Sequence, residues 1–132
     1  MNTGDRSRSG GRILVVDDER AFREFLKELL EAGGYAVLLA ADGREALRLL
    51  ESECPDLLLL DVLMDEMDGL EVIEAIRHRG LKLPVIVMSG GGRLDPHTYL
   101  DTSLHLGAGK VLRKPFTGES LLDAVSAMLG GC

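Results

Sequence analysis

The sequence predicts an α/β fold: a doubly wound, five-stranded parallel sheet with five helices divided between its two faces. Three observations carry that expectation. Apolar runs of about five residues alternate with helical patterns of about ten along the chain, the pattern of strand–helix units in a parallel sheet. The chain is 45% hydrophobic but only 4% aromatic, without tryptophan, so its core is aliphatic, as in a sheet buried on both faces. Finally, polar residues of matching chemistry follow the apolar runs, where such sheets bind ligands.

The runs are Ile13–Val16, Tyr35–Ala40, Leu57–Leu60, Pro84–Met88 and a short, weak one at Lys110–Leu112. After the first, Ala21, Phe22, Phe25, Leu26, Leu29 and Leu30 recur at helical spacing, and Gly33-Gly34 ends the helix. Asp42 and Glu45 form a capping-box pattern that opens a second helix through Leu50, and Pro55 marks the turn into the third strand. Leu70, Ile73, Ala75 and Ile76 make a third helix, closed by Gly80. A fourth, less distinct, falls between Pro96 and Leu106. Thr117 caps a fifth that carries Leu121, Leu122, Val125 and Leu129. Phe22 and Phe25, within one helical turn, are both read as core.

Size and charge narrow the function. At 132 residues the chain suits one domain, read as a single unit over 12–132 behind a polar, Gly/Ser-rich tail over 1–11. The net charge of −7 makes nucleic acid a poor partner, since affinity there comes from Lys and Arg on phosphates. Residues 1–11 contain no apolar stretch of a secretory signal, and no run approaches the roughly 18 residues of a membrane span. Cys54 and Cys132 are far apart and form no metal-binding pair. A cytoplasmic protein with a reducing environment is expected, without insertion into a membrane.

The chemistry gathers at predicted strand ends. Asp17 and Asp18 follow the first strand, Asp61 the third, Ser89 the fourth, and Lys114 the fifth. Singly, each has a plain structural use: an aspartate as a helix cap, a serine in a turn, a lysine at the surface. Together they place three carboxylates and an ammonium on one edge of a sheet. Clustered carboxylates repel, so a cation or a raised pKa must relieve them. Hard oxygen ligands suit Mg²⁺, and a carboxylate can itself become an aspartyl phosphate.

These residues resemble a family. Over residues 12 to 129 the chain is similar to the receiver domain of bacterial two-component response regulators, a flavodoxin-like fold with strand order 2-1-3-4-5. The motifs are Ile13-Leu14-Val15-Val16-Asp17-Asp18-Glu19, Leu57 to Asp61 continuing through Asp68-Gly69-Leu70, Val87-Met88-Ser89-Gly90, and Gly107-Ala108 followed by Lys114-Pro115-Phe116. The resemblance implies that Asp61 accepts a phosphoryl group from a sensor histidine kinase or a histidine phosphotransfer protein. It implies that Asp18 binds Mg²⁺ directly, that Asp17 helps through water, and that Leu63 gives its backbone carbonyl to the metal. Ser89 would bond the phosphoryl oxygens. Lys114 would pair with Asp61 or its phosphate, with a cis bond to Pro115. One side of the first helix would dock the phosphodonor, making an exposed Ala21 or Phe22 a contact.

Departures from the family pattern are also visible. Asp65 stands where the family usually has proline, and with Glu66 it makes an acidic loop. Val111 stands where the family commonly has a ring that turns inward on phosphorylation. The Ser89–Lys114 segment is longer than is usual and contains Gly90-Gly91-Gly92, so switching is expected in that loop. A single-domain regulator is expected, with an unknown protein target, loss of the phosphoryl group by hydrolysis or transfer, and possible homodimerisation. The alternative is a protein-binding receiver that works without phosphorylation. A stand-alone aspartyl phosphatase is disfavoured, because Leu63 lacks the carboxylate such enzymes use.

Overall fold

The computed structural model describes residues 11–61, 68–89 and 109–129. Within them the elements run β1 (Arg12–Val16), α1 (Arg20–Ala32), β2 (Ala36–Ala40), α2 (Gly43–Glu53), β3 (Leu57–Asp61), α3 (Asp68–His78), β4 (Val85–Ser89), β5 (Lys110–Arg113) and α4 (Gly118–Met128). The five strands form one parallel sheet in the order β2-β1-β3-β4-β5, as expected. Four helices lie among the described residues, against five expected. The expected helix within Pro96–Leu106 falls outside them.

Residue parity divides the core in two. Leu14, Val16, Leu58, Leu60, Val85 and Val87 face one side of the sheet, with Ala46, Leu50, Val72, Ile73 and Ile76 of α2 and α3 packed on them. Ile13, Val15, Leu57, Leu59, Ile86 and Met88 face the other, under Leu26 and Leu30 of α1 and Leu121, Ala124 and Val125 of α4. Successive strand residues point to opposite faces, so a sheet covered on both needs unbroken aliphatic runs. Each buried leucine contributes about 1.5–3 kcal/mol through removal from water.

Local chemistry sets the ends. Gly34, at φ 98°, lets the Tyr35 N–H return to the Leu30 carbonyl at 3.1 Å, and Gly80, at φ 68°, does the same for Leu81 and Ile76 at 3.2 Å. Asp42 accepts from the Glu45 N–H at 2.8 Å, but the Glu45 carboxylate reaches the N–H of Ala41 at 2.9 Å rather than that of the cap residue. Thr117 caps α4 through the Ser120 N–H at 3.0 Å. No helix among the described residues is long and apolar enough to cross a membrane.

One core assignment needs correction. Phe22 is half-buried and packs against the α1/α4 core, whereas Phe25 is 51% exposed. Leu26 and Leu30 set the buried stripe of α1, and Phe25 lies off it.

Candidate functional site

Strand order reverses between β1 and β3: the chain leaves β1 outward to β2, then returns to β3 on the opposite side of β1. The carboxyl ends of strands at such a reversal form a crevice without a helix across it. Val16 pairs with Leu60 in the parallel register, so Asp17 and Asp61, the next residues on each strand line, emerge side by side. Asp61 is itself the last residue of β3.

Asp17 and Asp61 are the buried polar residues among those described, with 1% and 5% exposure. Asp18 is exposed beside them. Carboxylate oxygens of Asp17, Asp18 and Asp61 all lie within 4.8 Å of one another. Lys114 Nζ reaches across from the turn after β5, 3.1 Å from Asp61 Oδ2 and 3.4 Å from Asp17 Oδ2. The Lys114–Pro115 peptide bond is cis. Burial of charge demands such pairing, and one ammonium offsets only part of three carboxylates.

The imbalance shows in the titration of the acids. Burial pushes the Asp17 carboxyl from its ordinary 3.8 up to about 6. The Glu19 N–H and Lys114 oppose that rise, while the Asp61 carboxylate adds to it. The Asp18 carboxyl is raised too, by desolvation first and then by Asp61. A cluster held in this state can bind a metal ion: the donors are hard carboxylate oxygens, already gathered, and a cation would remove the repulsion.

The acidic turn is held by its own neighbours. Asp17 Oδ1 accepts from the Glu19 N–H at 2.9 Å, and the Asp17 N–H bonds the Ala40 carbonyl at 3.2 Å. Arg23, one turn into α1, donates from Nη1 to the Asp17 carbonyl oxygen at 2.8 Å. Thus Asp17 braces the turn before α1, while the N-cap position of that helix belongs to Glu19, without a side-chain cap bond. Ser89 closes β4 and pairs in register with Arg113, the residue before Lys114. Asp17, Asp18, Asp61 and Lys114 are therefore brought together, with the Ser89 backbone on the adjoining strand. Leu63, Asp65 and Glu66 lie outside the described residues, as does the glycine run after Ser89. Val111 is half-buried against the α2/α3 core. His78 is exposed, while His97 and His105 lie outside the described residues.

Sequence reasoning did not foresee two contacts. Arg23 braces the acidic turn, and Lys114 Nζ lies 4.4 Å from the centre of the Phe22 ring. Phe22 was legible as an apolar helix residue, but its distance in sequence from Lys114 left no local signal of the contact. On the same helix, Ala21 and Phe25 are exposed.

Comparison with known proteins agrees with this geometry. Residues 13–126 match the family model of the response regulator receiver domain. The chain is 46% identical over 118 residues to response regulator MprA of Mycolicibacterium vanbaalenii, covering 89% of this chain and 50% of that protein. Response regulator MprA of Mycobacterium tuberculosis is 45% identical over the same length, with the same coverage. The chain thus spans about half the length of the curated relatives it matches. Among solved structures, a response regulator receiver domain protein from Clostridium thermocellum superposes with a TM-score of 0.83 at 30% identity, over 91% of this chain and 94% of that one. The receiver domain of Francisella response regulator 1452 gives 0.81 at 29% identity, over 90% and 96%.

Proposed function

This chain belongs to the response regulator receiver domain family of two-component systems, and on that footing we propose that it accepts a phosphoryl group on Asp61 with Mg²⁺ and thereby switches its protein contacts. The observation that carries the reading is Lys114 Nζ in reach of both Asp61 and Asp17 at the sheet edge where strand order reverses.

The phosphodonor is a sensor histidine kinase or a histidine phosphotransfer protein. An Asp61 carboxylate oxygen attacks phosphorus, the P–N bond to the donor imidazole breaks, and the electron pair stays on nitrogen. Lys114 offsets charge as it builds on the phosphoryl oxygens, and the Ser89 hydroxyl bonds one of them. Asp18 and Asp61, with Asp17 through water and the Leu63 carbonyl, would hold the Mg²⁺, which would supply charge stabilisation to the transferring group. Water attack on phosphorus later releases inorganic phosphate and restores the carboxylate, so the protein is a self-dephosphorylating phosphoacceptor rather than a turnover enzyme.

Of Ala21 and Phe22, the two α1 residues expected to meet the donor helix, Ala21 is exposed and is assigned the docking contact, while Phe22 is half-buried. We read residues 12–132 as the receiver behind a tail over 1–11, in the cytoplasm, acting through protein contacts without binding nucleic acid by this domain. Acting as a single-domain regulator, alone or as a homodimer, is part of the same proposal. The mass of the native polypeptide on an immunoblot tests it, since the matched 118 residues are only 50% of a curated relative.

The primary test is intact mass after incubation with acetyl phosphate and Mg²⁺, wild type beside Asp61→Asn. One phosphoryl adduct, dependent on metal and absent in the variant, is expected. No adduct under rapid quenching overturns the reading in favour of a phosphorylation-independent binding module, a role for which Val111 in place of the usual ring gives grounds.

A further inference from the structure

We propose that Phe22 is a positioning residue for Lys114: the face of its ring holds the ammonium at the point where it meets both Asp61 and Asp17. The inference rests on the reading of Asp61 as phosphoacceptor. Lys114 Nζ lies 4.4 Å from the ring centre, inside the range of about 6 Å over which an aromatic face attracts a cation. The same nitrogen is 3.1 Å from Asp61 Oδ2 and 3.4 Å from Asp17 Oδ2. Two carboxylates and a ring face therefore surround it.

The ring differs from the carboxylates in one respect that matters. Phosphorylation converts the Asp61 carboxylate to an acyl phosphate, a mixed anhydride, and metal binding would draw on the charge of Asp17. Both ionic restraints on the ammonium thus change during the reaction, while the ring quadrupole does not. A flexible four-carbon stem needs such a constant restraint to stay aimed.

Phe22 is itself fixed. Its ring stacks on Phe25 with centres 6.0 Å apart and meets Phe116 edge-on at 6.1 Å. Phe116 lies in the turn that carries Lys114, and Phe22 lies on the helix that follows the acidic pair. The ring contact therefore joins the two segments whose separation sets the lysine–carboxylate distance. Simple apolar packing would be met equally by leucine, which has no π face.

Two readouts on the full chain, in wild type, Phe22→Leu and Phe22→Tyr, test the inference. The first is the proton shift of the Lys114 ε-methylene by NMR, assigned with Lys114→Arg; ring-current displacement is expected in wild type and in Phe22→Tyr and lost in Phe22→Leu. The second is the rate of phosphoryl uptake from acetyl phosphate with Mg²⁺. Phe22→Leu is expected to be about three- to tenfold slower, and Phe22→Tyr to restore most of the rate. Wild-type shift and rate in Phe22→Leu overturn the inference, as does equal slowing by leucine and tyrosine. Should wild type take up no phosphoryl group, the proposed function fails, and the methylene shift still decides whether Lys114 lies over the Phe22 ring; a wild-type shift with no ring-current displacement overturns the inference.

Discussion

Lys114 Nζ and Asp17 Oδ2 lie 3.4 Å apart, although 97 positions separate them in the chain. Asp17 is 1% exposed, so this contact matters to whether its carboxyl can ionise. The balance still favours the protonated form more than in water, with Asp17 raised to about 6.

That rise gives a pH dependence of defined sign. Unfolded, Asp17 titrates near 3.8; folded, near 6. Between those values the folded state holds the extra proton, so the Asp17 contribution lowers stability as pH rises through the window. The cost is absent below about pH 4 and complete above about pH 7, at roughly 2–3 kcal/mol. Asp17→Asn removes it while leaving an oxygen for the Glu19 N–H. In metal-free urea unfolding, the variant is expected to gain on wild type between pH 4 and pH 7; a difference constant over that range contradicts the assignment.

Lys114→Met removes a cation that holds the Asp17 carboxyl down. Its titration midpoint, followed by the carboxyl carbon shift, is expected to rise further in this variant. An unchanged or lower midpoint would mean that the ion pair at 3.4 Å has no electrostatic effect.

Neighbours on α1 separate surface from core. Leu26 is fully buried and Phe25 is 51% exposed. Leu26→Ala is expected to cost about 2–5 kcal/mol in denaturant unfolding. Phe25→Ser is expected to cost less than about 1 kcal/mol. Equal costs would place Phe25 in the core after all.

Thr117→Ala removes the oxygen that accepts from the Ser120 N–H, and Asp42→Ala removes the one that accepts from Glu45. Each is expected to lower stability by about 1 kcal/mol. The effects should add, because the caps serve helices on opposite faces of the sheet. Strong non-additivity by urea titration would contradict independent caps.

Much of this was readable from residue order. The strands β1, β3 and β4 announce themselves because double burial demands continuous aliphatic residues, and the acids that end two of those runs announce the site. The strand β5 was faint for a physical reason: it is an edge strand whose terminal residues, Lys110 and Arg113, are exposed. Phe25 was misplaced because α1 carries more apolar residues than its buried stripe can take, so periodicity alone left its phase open. The contacts of Arg23 and Phe22 with the site depend on side-chain reach across the fold, which no local spacing records. Glu45 was recognised as a capping residue, but the choice between the N–H groups of Ala41 and Asp42 is a matter of backbone direction.

The division of the strands by parity carries one more consequence. A strand that slides one residue along its neighbour exchanges its two faces. For Leu57–Leu60 that exchange would replace leucines with leucines, so hydrophobicity alone scarcely distinguishes correct alignment from slipped. The carboxylates do: drawing Asp61 or Asp17 one position inward, by about 3.3 Å, would move a charge into an aliphatic layer and away from Lys114, at a cost of several kcal/mol. The acids at the sheet edge thus serve as stops that keep β1 and β3 in alignment, and exchanging them for leucine would loosen the pairing of the strands as well as the chemistry at their ends.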